Sequence, residues 1–100
     1  MSMMQTGCIE LESPGPNVTG PDDTSSFTQV EFPTPFPEGT TVIVIPMVQT
    51  FNGAETPGVR LAGVTNTGFK IRMNELIAKG ESLSYSAHKK ETIGWVAYTV

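Results

Sequence analysis

The sequence predicts an all-β fold, an antiparallel β-sandwich of six or seven short strands formed as one domain over residues 1–100. Three observations carry this expectation. Short segments such as Phe69-Lys70-Ile71-Arg72-Met73 and Ile93-Gly94-Trp95-Val96-Ala97 place large apolar residues at every second position, the period of a strand with one buried face. Glycine, proline and asparagine punctuate these segments at close intervals. Charged residues make up only 16% of the chain, against ten glycines and eight prolines, a composition short of the Lys, Glu and Ala that fill exposed helices. With 100 residues, 38% of them hydrophobic, there is material for one core and not for two.

The elements follow in order. Met4 to Leu11 forms a first strand, with Ile9 and Leu11 on one face and a bend at Gly7. Glu12 to Ser26 is polar and rich in Pro and Gly, which neither a helix nor a central strand tolerates, so it is a long loop of the kind that often carries function. Phe27 to Phe32 alternates and is closed by the three prolines between Pro33 and Gly39. Thr40 to Val48 is almost continuously apolar, which predicts a strand covered on both faces, one of them by the second sheet or a neighbouring subunit. Pro46 cannot donate to a ladder and places an edge or a bulge there.

Gln49 to Gly58 reads as a connecting loop with an Asn52-Gly53 turn. Val59 and Leu61 point inward and Arg60 outward. Asn66-Thr67-Gly68 then makes a tight turn into the strand whose core face is Phe69, Ile71 and Met73. Glu75 to Lys79 is read as a loop or one helical turn stopped by Gly80. Leu83, Tyr85 and Ala87 alternate with serines in a further strand, and Thr92 to Thr99 closes the chain with Ile93, Trp95 and Ala97 inward. Trp95 fills the core or an oligomer axis.

Bulk properties exclude several functions. The net charge is −4 and the basic residues never cluster beyond Lys89-Lys90, so no phosphate-tracking surface for nucleic acid is expected. Cys8 is the sole cysteine; it is read as a small buried thiol, with an intermolecular bridge as the alternative. The first residues lack the basic and apolar regions of a secretory signal, and no apolar run reaches membrane-spanning length. A place on a virion or an extracellular surface would then require another route, such as assembly into a particle released by lysis. Asn17-Val18-Thr19 is read as a turn and not as a glycosylation site. No nucleophile elbow, phosphate loop or histidine pair is present, so no enzyme and no cofactor are expected. His88, the one histidine, is placed with Glu75 and Glu91 in a structural hydrogen-bond network at one end of the sandwich in preference to a ligand site.

Several of these segments together resemble the H-type lectin domain. The resemblance rests on Gln5-Thr6-Gly7-Cys8-Ile9, Phe32, Val42 to Ile45, Arg60, Thr67-Gly68-Phe69 and Trp95-Val96-Ala97, and it covers nearly the whole chain. Thr50-Phe51-Asn52-Gly53, Asn74-Glu75 and His88-Lys89-Lys90-Glu91-Thr92 resemble a bacterial and phage-associated branch of that family. The resemblance implies a six-stranded antiparallel β-sandwich that assembles as a parallel homotrimer and binds glycan in shallow clefts between protomers. It implies Gly20 and Asp22, within Gly20-Pro21-Asp22, as carbohydrate-binding residues, since a carboxylate accepts two charge-assisted hydrogen bonds from adjacent hydroxyls. Where relatives from snails and slime moulds keep a Trp-His pair, this chain has Leu76-Ile77, and their sugar-contacting arginine aligns near Thr56. A trimerising structural module of a phage or bacterial surface assembly is therefore the alternative expectation.

Overall fold

The computed structural model describes residues 3–13, 24–52, 56–76 and 88–100. These residues form six strands and no helix. Strands β1 (Met4–Ser13) and β3 (Val42–Val48) flank the long β6 (His88–Thr99), while β2 (Thr28–Glu31) and β4 (Thr56–Ala62) flank β5 (Gly68–Leu76). The result is two three-stranded antiparallel sheets, β1-β6-β3 and β2-β5-β4, consistent with a β-sandwich.

Alternation explains how the two sheets make one core. Odd-numbered positions of β5 and β6 bury Phe69, Ile71 and Met73 on one side and Ile93, Trp95 and Ala97 on the other, joined by Leu11, Phe32, Phe36 and Val44. Four aromatic rings tie this cluster together. Phe32 lies edge-on to Phe36 with centroids 5.1 Å apart, Trp95 edge-on to Phe69 at 5.4 Å, and Phe32 contacts both Phe69 and Trp95. Edge-to-face pairs of this kind add about 0.5–1.5 kcal/mol each beyond area burial.

Gly7 is not a bend. β1 pairs with β6 without interruption from Met4 to Leu11, and the register slips only between Leu11 and Ser13. Gly7 stands opposite Trp95, and a Cβ there would overlap the indole at Cζ2 and lie 2.7 Å from Cε2. The glycine serves packing, by letting a large ring lie flat on the neighbouring strand.

Two other expectations, at Cys8 and at Glu75, need correction. Cys8 is exposed, because the alternation that turns Gly7 and Ile9 inward turns Cys8 out. Within the described residues β3 is covered on its core face, where Val44 is buried and Val42, Pro46 and Val48 are half-buried; Ile43, Ile45 and Met47 are 37, 48 and 64% exposed on the face for which the sequence predicts a second sheet or a neighbouring subunit as cover. Glu75 and Leu76 belong to β5, not to a loop or helical turn. Among the described residues Pro46 does lie on an edge strand, since β3 pairs there with β6 alone. Arg60 points outward and Val59 and Leu61 are half-buried, as the alternation requires. The expected strand around Leu83, Tyr85 and Ala87 lies outside the described residues.

Phe36 was hidden in the sequence by its prolines. It is 1% exposed, and the segment that carries it is docked on the β4–β5 turn. Phe32 N and Phe36 N donate to Thr67 O (2.9 Å) and Asn66 O (2.8 Å), and Asn66 Nδ2 donates to Phe36 O (3.0 Å). From the other side Thr34 N donates to Gln5 Oε1 (3.1 Å), and Gln5 Nε2 donates to Thr34 O. A proline-rich stretch thus becomes a fixed lid over one end of the core.

Candidate recognition surface

Gly20 and Asp22 lie outside the described residues. The backbones of Glu75 and His88 are placed, opposite Pro57 and Ser13 respectively, but their side chains are not among those described. Of the expected polar group, Glu91 alone can be followed atom by atom.

Glu91 shares the inward parity of Ile93 and Trp95 and is 1% exposed. A carboxylate taken out of water must be satisfied by donors, and here they come from the loop after β3. Thr50 Oγ1 donates to Glu91 Oε1 at 2.7 Å, and Asn52 N donates to both carboxylate oxygens at 3.0 and 3.1 Å. The loop is held from further points as well. Thr92 N donates to Thr50 Oγ1 (2.9 Å), Gln49 N to Thr92 O (2.7 Å), and Asn52 Nδ2 to Lys90 O (2.9 Å). The two motifs that the sequence displays separately, Thr50-Phe51-Asn52-Gly53 and His88-Lys89-Lys90-Glu91-Thr92, meet in this contact. Asn52 therefore does more than form a turn: it fastens the loop to β6.

Between the two anchored residues Phe51 is 88% exposed. Its neighbours Gln49, Thr50 and Asn52 are also exposed. An aromatic ring is thus displayed among neutral hydrogen-bonding groups on a segment held at both sides.

The outer face of the β1-β6-β3 sheet is the second unusual surface. Its cross-strand rungs are Met4, Tyr98 and Ile43; Thr6, Val96 and Ile45; and Cys8, Gly94 and Met47. Met4 is 70% exposed, and Val96 and Tyr98 are half-buried. Gly94 leaves room for the Gln49 side chain, whose Nε2 would be 3.0 Å from a Cβ at that position. A shallow depression of ≈ 320 Å³ opens here, lined by Ile45, Met47, Gln49 and Gly94 among others.

No protein-family model matches this chain, and no curated protein does. Among the described residues no three His, Cys, Asp or Glu side chains come together as metal ligands. No helix among them is long and apolar enough to cross a membrane.

Parity along β6 could have placed Glu91 inside, since it lies two residues before Ile93. Its partners lay beyond reach, because Thr50 and Asn52 are 41 and 39 residues away. Arg72 was missed in the same way. It is 3% exposed and donates from Nη1 to Ser26 Oγ at 2.6 Å, although its position between Ile71 and Met73 marks it as facing outward.

Proposed function

We propose that this chain is an H-type-lectin-like recognition module that acts as a homotrimer and binds carbohydrate at sites between protomers. The observation that carries the reading is the apolar outer face of the β1-β6-β3 sheet, where Met4, Ile43, Ile45 and Met47 are exposed in three consecutive cross-strand rungs. Apolar area gains about 25 cal/mol per Å² when removed from water, and contiguous exposed patches on soluble chains mark contact surfaces. Packing this face against copies of itself supplies the cover that the apolar composition of β3 calls for. Shallow sugar sites then gain strength from the effective concentration of three sites on one particle. Gly20 and Asp22 contribute hydroxyl-binding groups in this reading, and the setting is a phage or bacterial surface assembly.

The Leu76-Ile77 pair favours a second reading, in which the trimer is a structural module without a sugar site. Two measurements separate the readings. Light scattering at micromolar concentration is expected to give three times the chain mass; a monomer refutes the assembly. A glycan-array screen with Asp22→Ala as control is expected to show binding that the substitution weakens. Absence of binding to every glycan leaves only the structural module, and binding indifferent to the substitution removes Asp22 from the site.

A further inference from the structure

We propose that Phe51 is the stacking platform of the carbohydrate site, presented to the ligand by the loop that Glu91 anchors; this rests on the carbohydrate-binding reading above. The first observation is exposure. A phenylalanine 88% exposed contributes almost nothing to the core, whereas Phe32, Phe36 and Phe69 are all buried in it.

The second observation, independent of the first, is the fixing of its two neighbours. Thr50 and Asn52 both donate to one buried carboxylate, and Asn52 and Gln49 are tied in addition to the backbone of Lys90 and Thr92. Burying a carboxylate is costly and is tolerated only with good partners. That cost is met at a surface loop whose central side chain, Phe51, is 88% exposed. A rigid aromatic on a preorganised segment loses little entropy on binding.

The flanking groups select the class of ligand. A pyranose ring has one face of C–H groups that lies on an aromatic ring, drawn to its negative quadrupole, while its hydroxyls need hydrogen-bond partners around the edge. Gln49, Thr50 and Asn52 are neutral and exposed around Phe51. Among the described residues the Oδ1 of Asn52 takes no hydrogen bond, the bonds of this residue running through N and Nδ2, which offers it to a sugar hydroxyl. A protein partner would instead be matched by the apolar outer face, where Ile43, Ile45 and Met47 stand on β3 before this loop begins.

The test compares wild type, Phe51→Ala and Phe51→Trp. A glycan array selects the best ligand for wild type, and the free methyl glycoside of its terminal sugar is then titrated by NMR, with light scattering run on all three proteins. The expected result is a loss of affinity of about tenfold or more for Phe51→Ala, equivalent to about 1.4 kcal/mol. Phe51→Trp should retain binding, and the sugar C–H protons should shift upfield with wild type but not with Phe51→Ala. All three proteins should show the same mass. Equal affinity of wild type and Phe51→Ala overturns the assignment of Phe51 and leaves the carbohydrate reading standing. No binding of any glycan by wild type overturns both. A fall in mass on Phe51→Ala overturns the proposal in favour of a contact between protomers.

Discussion

Removing the charge of Glu91 is the most direct test of how the loop after β3 is held. In Glu91→Gln the charge is lost: an amide oxygen in the place of Oε1 still accepts from Thr50 Oγ1 and Asn52 N, but as neutral bonds, and the NH₂ group in the place of Oε2 then faces Asn52 N, which now donates to that oxygen at 3.1 Å. Hydrogen bonds to a charged group contribute about 1.5–3 kcal/mol and neutral ones about 1, so the loss over two donors is about 2 kcal/mol. Glu91→Ala removes both acceptors and leaves a cavity, for which about 3–4 kcal/mol is expected. For a domain of this size the first loss corresponds to a fall in Tm of roughly 8–16 °C. The assay is thermal unfolding by circular dichroism at one fixed protomer concentration, since association also moves Tm. Hydrogen exchange at the Asn52 and Thr92 amides should accelerate in Glu91→Gln. A double-mutant cycle with Thr50→Val should show coupling of at least about 0.5 kcal/mol. A Tm for Glu91→Gln within about 3 °C of wild type, or an Asn52 amide as protected as before, would refute this account of the loop, because a shift that small is within the scatter of ordinary surface substitutions.

Other substitutions discriminate between surface and core. Phe36→Ala should cost about 3–5 kcal/mol, measured by urea unfolding, whereas Phe51→Ala should stay within about 0.5 kcal/mol of wild type; similar losses for both would contradict their opposite exposures. In Gly7→Ala the new methyl meets the Trp95 ring, so about 1–3 kcal/mol of overpacking is expected together with a shift in tryptophan emission. An unchanged spectrum and an unchanged midpoint would show that the indole does not depend on Gly7. Ile45→Glu, at a half-exposed position on the outer face, should leave a folded chain whose light-scattering mass falls to that of a monomer. Cys8 stands opposite Gly94, two rungs along β6 from Tyr98; it should react readily with a thiol reagent in Ile45→Glu and slowly in the wild-type assembly. Equal rates would mean that this face is not covered by another copy.

The alternation of β5 and β6 was fully legible. Phe69, Ile71, Met73, Ile93, Trp95 and Ala97 are buried because side chains of a strand point to opposite faces in turn, and this pattern needs no knowledge of distant residues. The edge position of Pro46 was legible for an equally local reason, its missing N–H. The continuous apolar run of β3 predicts cover on both faces, by the core and by a second sheet or a neighbouring subunit; the described chain supplies the first, and the trimer of the proposal would supply the second. Phe36 was unread because Pro35 and Pro37 hide any alternation around it, and its segment is held by Asn66 of the β4–β5 turn, 30 residues away. The candidate sugar residues Gly20 and Asp22 came from the family resemblance and not from any periodicity, and they remain part of the proposal.

The sequence by itself determined which apolar residues of β5 and β6 face the core, since the period of two is a property of a few neighbouring peptide units. Only the tertiary structure decided what the polar residues do. Glu91 could have been a solvated carboxylate or a ligand; chain closure over some forty residues brought Thr50 and Asn52 to it and turned two separate motifs into one anchored loop. The same closure put Phe51 outside and Phe36 inside, although both are phenylalanines in stretches without regular structure. Burial is a relation between segments, and no local pattern encodes which segments will meet.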